Sequence, residues 1–519
     1  MKSAPATPAS SSSRPRTAVV IGSGFGGLAA AIRLRSLGLE VTLVEQREKV
    51  GGRAYQLQEG GYTFDMGPSL ITAPSIIGEV FARAGKKLEG VLPLVPLDPY
   101  YRVFFHDRSR FEYNGSPESM KAQMRQYDAA DAARYDDFMK AIAPIYEEVI
   151  EKGLGSRPFG DPLTMLKFAP TAIRLGAWRT ATQFANKYFK DWRHRFVFSF
   201  HALYIGGNPF HCPAIYQMIP YLERAQGVWY TPGGMYSLTK ALEKAFIDMG
   251  GRVLTSTPVT KIRVSGETAK SGKPRATGVE TAQGFLPADI VLSNADVGFT
   301  YAKLIDPAFR RKWTDARVDR QEFTMSCFLM FLGVKKRYPE LAHHTLILAE
   351  RYKELLRDIF KNKILPDDFS MYVHAPTRTD DTMAPPGCES LMVLVPVANQ
   401  KSGIDWKATA QPYADKILDF LEQWGLTDLR ANLEVFKLFT PDDFEAQLSA
   451  WQGNAFGIEP RLSQTGYFRP HNRSEDIEGL YFAGAGTHPG AGVPGVMLSA
   501  EAAETCVVED WPELGKNVK

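Results

Sequence analysis

Hydrophobic positions along this chain follow two rhythms, and where one gives way to the other the chain turns on glycine. Residues 18–21 form a short, unbroken apolar run of strand length that stops at Gly22, Gly24, Gly26 and Gly27. After it, 28–37 reads as a helix rich in Ala and Leu that Gly38 ends, and Glu40–Val44 reads as a second strand. Residues 100–113 alternate as a β-hairpin does, and 116–151 read as helices with charged outer faces. A turn at 227–234 leads into a helix over 235–249, then strands at Arg252–Leu254, 259–264 and 288–296. Near the end an apolar strand, 480–483, runs into glycines and a helix over 495–504. Strands alternating with helices predict an α/β protein.

Two stretches carry less regular patterns. Between 160 and 195, Ile173, Ala177, Ala181, Phe184, Tyr188 and Trp192 recur at helical spacing, while Lys167, Arg174, Arg179, Lys187, Lys190, Arg193 and Arg195 outnumber Asp161 and Asp191. This predicts a basic amphipathic helix, which either packs its apolar stripe on the core or lies in a lipid headgroup layer. From 323 to 397, Phe323, Cys327, Phe328, Met330, Phe331, Met371, Tyr372, Val373, Met392, Leu394 and Val395 suit either a sheet core or the lining of an apolar channel.

At 519 residues the chain exceeds one core's usual size, so two or three domains are expected. A net charge of +3 is too mild to argue for nucleic acid. Four cysteines without C-x-x-C spacing argue against a disulfide framework or a zinc site and suit a reducing cytoplasm. Residues 1–16 are rich in Ser, Pro, Ala and Thr without an apolar core, which predicts a disordered tail and not a signal peptide. No stretch offers the ~20 apolar residues of a spanning helix, so any membrane contact is peripheral. His343 and His344 are adjacent and in a strand would face opposite ways, so no metal is expected.

The glycine segment carries the clearest chemistry. Gly22 suits a tight turn, Gly24 lets the backbone approach a pyrophosphate, and Gly27 lets the helix pack close to the sheet, with the helix N-terminus directed at phosphate. Glu45, at the end of the second strand, suits ribose hydroxyls and disfavours the extra phosphate of NADP. Beyond it, Gln46, Arg47 and Val50-Gly51-Gly52-Arg53 resemble flavoproteins of the amine oxidase and carotenoid desaturase group, which implies FAD.

The blocks 46–55, Asp65-Met66-Gly67-Pro68-Ser69, Gly206-Gly207-Asn208-Pro209-Phe210, Leu341-Ala342-His343-His344-Thr345 and 484–496 are similar to bacterial phytoene desaturases of the CrtI type, over about 17–510. The Thr487-His488-Pro489-Gly490-Ala491-Gly492 continuation is more specific than any generic flavin motif. The resemblance implies a discontinuous Rossmann-like FAD-binding domain, with an inserted α+β substrate domain and a helical membrane-facing segment. On that basis 1–16 is tail, 17–95, 225–305 and 466–510 bind FAD, 96–130 and 306–465 form the substrate domain, and 131–224 is the helical membrane and substrate-access segment.

The resemblance further implies that Gly22, Gly24, Phe25, Gly26, Gly27, Glu45, Gln46, Arg47, Gly52 and Arg53 meet FAD, joined by Pro68 and Ser69, and by Val259 beside the adenine. Asn294 and Ala295 at a strand end, and Gly484, Ala485, Gly486, Gly495, Val496 and Met497, complete the set. His488 is placed beside the flavin, as a contact or as a turn-stabilising residue. The implied activity is stepwise dehydrogenation of phytoene to carotenes such as lycopene, at the cytoplasmic face of a membrane, with oxygen or a quinone as acceptor. Related enzymes carry an acid and an arginine on the helix that here holds Thr164 and Lys167, so no catalytic residue is named. A C30 or later-step desaturase, a carotenoid isomerase or saturase, an amine oxidase and a non-enzymatic FAD carrier remain alternatives, as do the number of steps and the oligomeric state.

Overall fold

The computed structural model describes residues 16–268 and 272–517. Along the chain run β1 (Thr17–Ile21), α1 (Phe25–Ser36), β2 (Glu40–Val44), the hairpin β3 (Gln56–Glu59) and β4 (Tyr62–Asp65), and a second hairpin, β5 (Tyr101–Phe104) and β6 (Arg110–Tyr113). A helical stretch follows, with α2 (Tyr135–Tyr146), α3 (Pro162–Arg174), α4 (Ala181–Asn186), α5 (Trp192–Val197) and α6 (Met218–Gln226). Next come α7 (Met235–Asp248), β7 (Arg252–Leu254), β8 (Val259–Thr268), β9 (Pro274–Thr281), β10 (Gly284–Pro287) and β11 (Ile290–Ser293). The chain closes with β12 (Ser326–Val334), β13 (His344–Ile347), β14 (Met371–His374), β15 (Glu389–Val397), α8 (Trp406–Trp424), β16 (Leu433–Phe439), β17 (Leu480–Phe482) and α9 (Val493–Asp510).

A parallel sheet in the order β17-β11-β1-β2-β7 gathers strands from both ends of the chain. Ser293 pairs with Ile21 on one side and Phe482 on the other, and Ile21 pairs with Val44, so these strands end level. Helix α1 begins at Phe25, earlier than the pattern predicts, because Gly24 is extended and serves as its N-cap. Its first-turn glycine is needed for contact: a Cβ on Gly27 would lie 2.0 Å from the carbonyl oxygen of Gly22. α1 and α9 pack together over this sheet in one apolar cluster. Between them the buried Arg33 meets Glu504 (2.6 Å), Glu79 (3.0 Å) and Glu501 (3.2 Å). Burial lowers the proton affinity of Arg33, and the three carboxylates more than reverse this.

The second sheet has the order β16-β12-β15-β14-β13-β5-β6, joining the early hairpin to strands from the second half of the chain. Alternation divides its faces. Phe328, Met330, Leu332, Leu391, Val393 and Val395 pack against α8, whereas Cys327, Leu329, Phe331 and Met392 face the other way, toward Tyr62 and Phe64.

The single amphipathic helix predicted within 160–195 is instead three short helices. Gly176, at a φ of +67°, follows the end of α3, and the side chains of Thr180 and Asp191 cap new starts at α4 and α5. The apolar positions therefore share no common face: Ala181, Phe184 and Tyr188 are core, while Ile173 is exposed. Of the tail expected over 1–16, all but Arg16 lies outside the described residues; Arg16 pairs with Glu513 at 2.6 Å and sits over the Trp511 ring. All four cysteines are free. Among the described residues no helix is long and apolar enough to cross a membrane.

Asp65, the last residue of β4, accepts the Met235 N–H at the start of α7 at 3.0 Å. Gly234, the residue before that helix, has a φ of +79°, and a Cβ there would lie 2.6 Å from Asp65 Oδ1. Burial pushes Asp65 up to about 7, aided by the Asp380 carboxylate and opposed by the Met235 and Tyr236 amides. Between the unfolded value of about 4 and that folded value the native state holds the extra proton, so this group's contribution to stability falls as pH rises through that window. Asp65→Asn keeps an acceptor for Met235 and cannot ionise. Urea unfolding is expected to show the variant losing at least ~1 kcal/mol less than the parent between pH 5 and pH 8; equal losses would exclude Asp65 as the source.

Candidate functional site

The carboxyl ends of β1, β2, β11 and β17 open into a cavity of about 460 Å³, within the size class of cofactor and small-molecule sites. Ligands of open parallel sheets bind at this edge, where the strand order reverses. Gly22, at a φ of +87°, turns the chain out of β1. Gly26 faces the opposite chain end: a Cβ on it would lie 2.7 Å from Asn294 Nδ2, 3.2 Å from the Val496 oxygen and 3.3 Å from Gly484 Cα. Neither α1 nor α9 has a capping side chain, and the first turn of each borders the cavity. Two uncapped N-termini aimed at one space favour a bound anion.

Of the residues expected to meet the cofactor, Gly22, Gly24, Phe25, Gly26, Glu45, Gln46, Arg47, Gly52, Arg53, Pro68, Ser69, Val259, Asn294, Ala295, Ala485, Gly495 and Val496 line this cavity. Gly27, Gly484, Gly486 and Met497 stand behind the wall. Gly27 packs on Gly22, Gly484 and Gly486 make room for Asn294 and Val297, and Met497 is fully buried in the core between the helices. His488 also lies behind the wall, with Nε2 3.4 Å from the Leu154 oxygen and its ring on Phe159.

Glu45 is already organised, accepting hydrogen bonds from Ser23 N (3.0 Å), the Ser23 hydroxyl and Arg47 N (3.0 Å). Arg47 lies over the Tyr55 ring at 3.5 Å. The Arg53 guanidinium is buried at the wall, donates to the Asn454 oxygen at 3.3 Å, and leaves Nε without a protein partner. Burial lowers its proton affinity, and Asp296 acts against that shift. Asp296 itself is pushed up by burial and accepts from Asn454 Nδ2 at 2.8 Å. No motif signals Arg469, yet this buried side chain donates to the backbone oxygens of Ala485 (2.6 Å), Thr487 (2.9 Å) and Ile458 (3.0 Å), holding the C-terminal glycine loop.

Away from the glycines the cavity becomes apolar, walled by Phe196, Phe200, Leu203, Leu346, Met371 and Leu394. Of the channel candidates read from 323–397, Cys327, Met371, Tyr372 and Leu394 line it; Phe323, Phe328, Met330, Phe331, Val373, Met392 and Val395 lie in the packed layers. The sequence gives no motif for the acid in this greasy part, Glu223 on α6, fully buried at the cavity wall. The Tyr101 hydroxyl donates to its Oε1, and His201 Nε2 lies 3.1 Å from its Oε2. Burial, reinforced by Glu223, holds Tyr101 well above the ordinary phenol range, so it remains a donor. The signal was a single acid among the apolar positions of α6, which no spacing rule separates from a surface residue.

Nearby, the hydroxyls of Ser69 and Tyr372 are 2.6 Å apart, and Tyr372 Oη is 2.7 Å from His344 Nδ1. The expectation that His343 and His344 face opposite ways is overturned: their ring centroids are 4.5 Å apart. His343 precedes β13 and so escapes strand alternation. Burial pushes His343 down to about 3 and holds His344 and His374 well below the ordinary imidazole range, so all three are neutral.

Comparison with known proteins agrees with this architecture. Residues 25–507 match the family described as flavin containing amine oxidoreductase. The chain is 41% identical over 492 residues to the lycopene-forming phytoene desaturase of Pantoea ananas, covering 95% of this chain and 99% of that protein. It is 40% identical over 494 residues to the corresponding enzyme of Pseudescherichia vulneris, with the same coverage. In fold it is similar to putrescine oxidase bound to putrescine, at a TM-score of 0.62 and 15% identity, covering 96% of this chain and 99% of the other.

The donor set fits FAD: two uncapped helix N-termini, an unpartnered Arg53 Nε, an acid at the ribose position and a glycine cradle. Gly26→Ala puts a methyl group into the 2.7 Å gap to Asn294 and against the backbone of Val496 and Gly484. The purified variant is expected to retain at least ~10-fold less flavin per chain than the parent, read as the ratio of flavin to protein absorbance. Full flavin content would show that the two loops do not close on the cofactor.

Proposed function

Because the chain belongs to the flavin containing amine oxidoreductase family and, within it, to the phytoene desaturases, we propose that it is an FAD-dependent desaturase that converts phytoene, by successive dehydrogenations, into conjugated carotenes such as lycopene. The observation that carries this reading is one cavity whose glycine end suits a dinucleotide and whose other walls are hydrocarbon. A polyene offers no polar handle, so its binding rests on buried apolar area, and Phe196, Phe200, Leu203 and Leu346 supply that area. Bound FAD supplies a hydride acceptor.

Loss of hydride from an allylic carbon leaves a conjugated cation, and the double bond forms when the neighbouring carbon gives up a proton. Glu223 takes that proton on its carboxylate. Its support is chemical: it is an acid at the hydrocarbon wall, held in place by Tyr101 and His201. An anion in so apolar a setting also stabilises the developing cation more than it would in water. The apolar side chains exclude the water that would otherwise trap the cation.

The substrate is a lipid, and the enzyme draws it from a bilayer as a peripheral protein at the cytoplasmic face, with oxygen or a membrane quinone as final acceptor. Support comes from α3, on which Leu163 (57%), Leu166 (68%) and Ile173 (68%) are exposed at helical spacing, with Trp178 (55%) just beyond. Lys167 and Arg174 flank this stripe. On the opposite face Met165 and Phe168 pack inward, and Phe168 meets Phe159, which lies on His488 beside the cavity residue Pro489.

Anaerobic mixing with phytoene in liposomes is expected to bleach the flavin and produce visible polyene bands; bleaching by amines instead would favour an amine oxidase, and no bleaching by either would leave a carrier. In the same assay Glu223→Gln is expected to slow bleaching by about 100-fold or more with flavin content unchanged. An unchanged rate would remove Glu223 from the mechanism while leaving the desaturase reading intact. For the membrane surface, the pair Leu166→Glu and Ile173→Glu is expected to cut co-flotation with liposomes at least ~10-fold without loss of flavin. Equal flotation would place the contact elsewhere.

A further inference from the structure

His343, His344 and His374 converge from two neighbouring strands. His344 opens β13 and His374 closes β14, and the two are direct partners in the antiparallel ladder, so both side chains leave the same face of the sheet. His343 lies just before β13, and its carbonyl accepts the Ala375 N–H at 2.9 Å, which fixes it beside the other two. Ring centroids are 4.5 to 5.3 Å apart, and one nitrogen from each ring lies within 4.8 Å of the others. All three residues are buried.

The outer nitrogens of His343 and His344 are tied down. Nδ1 of His343 is 2.7 Å from Thr379 Oγ1, and Nδ1 of His344 is 2.7 Å from Tyr372 Oη. A neutral imidazole that donates its one N–H there keeps a lone pair on Nε2, the arrangement in which outer hydrogen bonds orient metal-binding histidines. Nε2 of His343 and Nε2 of His374 are 3.2 Å apart. Two nitrogens each ~2.0–2.1 Å from one tetrahedral ion are separated by about 3.3–3.4 Å. A proton shared between His343 and His374 satisfies those two rings, yet leaves His344 Nε2 buried without a partner.

We propose that His343, His344 and His374 bind one divalent transition-metal ion of the zinc class through their Nε2 atoms, stapling β13 to β14 in the cavity wall. Imidazole ligands without thiolate favour zinc over softer ions such as Cu(I). Asp380 supplies a negative charge on the His343 side, held by Gly233 N (2.7 Å) and the Tyr230 hydroxyl (3.0 Å), with the Tyr230 ring packed on His343. The staple would also fix Tyr372, which bonds both His344 and Ser69 at the cavity. The proposal does not depend on which reaction the cavity performs.

The flavin-loaded protein, purified after growth in zinc-supplemented medium and dialysed against metal-free buffer, is the material for the test. Elemental analysis by mass spectrometry is expected to give about one zinc per chain, and zinc-edge X-ray absorption to show three imidazole nitrogens at about 2.0–2.1 Å. His344→Gln and His374→Gln are expected to lower the zinc content at least ~10-fold, whereas His211→Gln, at an exposed position, retains it. Flavin content reports whether each variant folds, and the parent measurement stands even if one does not. Less than ~0.1 zinc per chain in the parent, both as isolated and after incubation with zinc, overturns the proposal, as does zinc that survives both glutamine variants.

Discussion

The level ending of three parallel strands is the constraint on which the rest of the molecule depends. β11 lies between β1 and β17 with Ser293 paired to Ile21 and to Phe482, so segments from opposite ends of the chain stop at one height. Only then does Asn294 Nδ2 reach the Ala483 oxygen at 2.8 Å, and only then do Gly26 and Gly484 face each other with no room for a side chain. The cofactor cradle is a consequence of register. Arg33, clasped by acids of α9 and by Glu79, and Arg469, bonded to the backbone of the last glycine loop, hold that register from behind.

From the same edge the cavity passes from polar to hydrocarbon, and strand alternation explains the change. Along β12 every second side chain goes to the layer packed on α8, leaving Cys327 and Leu329 to the cavity. In the greasy part Glu223 is partnered by Tyr101 and His201, and Ser69 by Tyr372. An unpaired acid there would carry a desolvation penalty that the fold has no means to offset. The hydrogen bonds that make burial tolerable also fix where Glu223 stands.

The exposed face of α3 follows different physics. None of its residues is buried, and Leu163, Leu166 and Ile173 remain in solvent although the helix is held to the body by Met165 and Phe168. An amphipathic helix ordinarily turns its apolar stripe inward. Here part of the apolar surface is left outside.

The local part of this protein was legible in its residues. Gly22 to Gly27, Glu45, the hairpin at 100–113 and the strand before Gly484 stand where the pattern predicts, because turns, caps and strand length are settled within a few residues. The division of the 160–195 stretch was not, since helical spacing survives in sequence even where Gly176 and two new caps interrupt the backbone. Nor was the convergence of His343, His344 and His374, or the placing of Glu223 against Tyr101 and His201: these are meetings between segments far apart in the chain. The glycines together with the strand before them, the helix after them and Glu45 determined from sequence that a dinucleotide belongs here. Which buried acids line its cavity and which imidazoles gather behind that wall was decided by strand pairing and helix packing, because burial and partnership are properties of neighbours in space, which no run of consecutive residues contains.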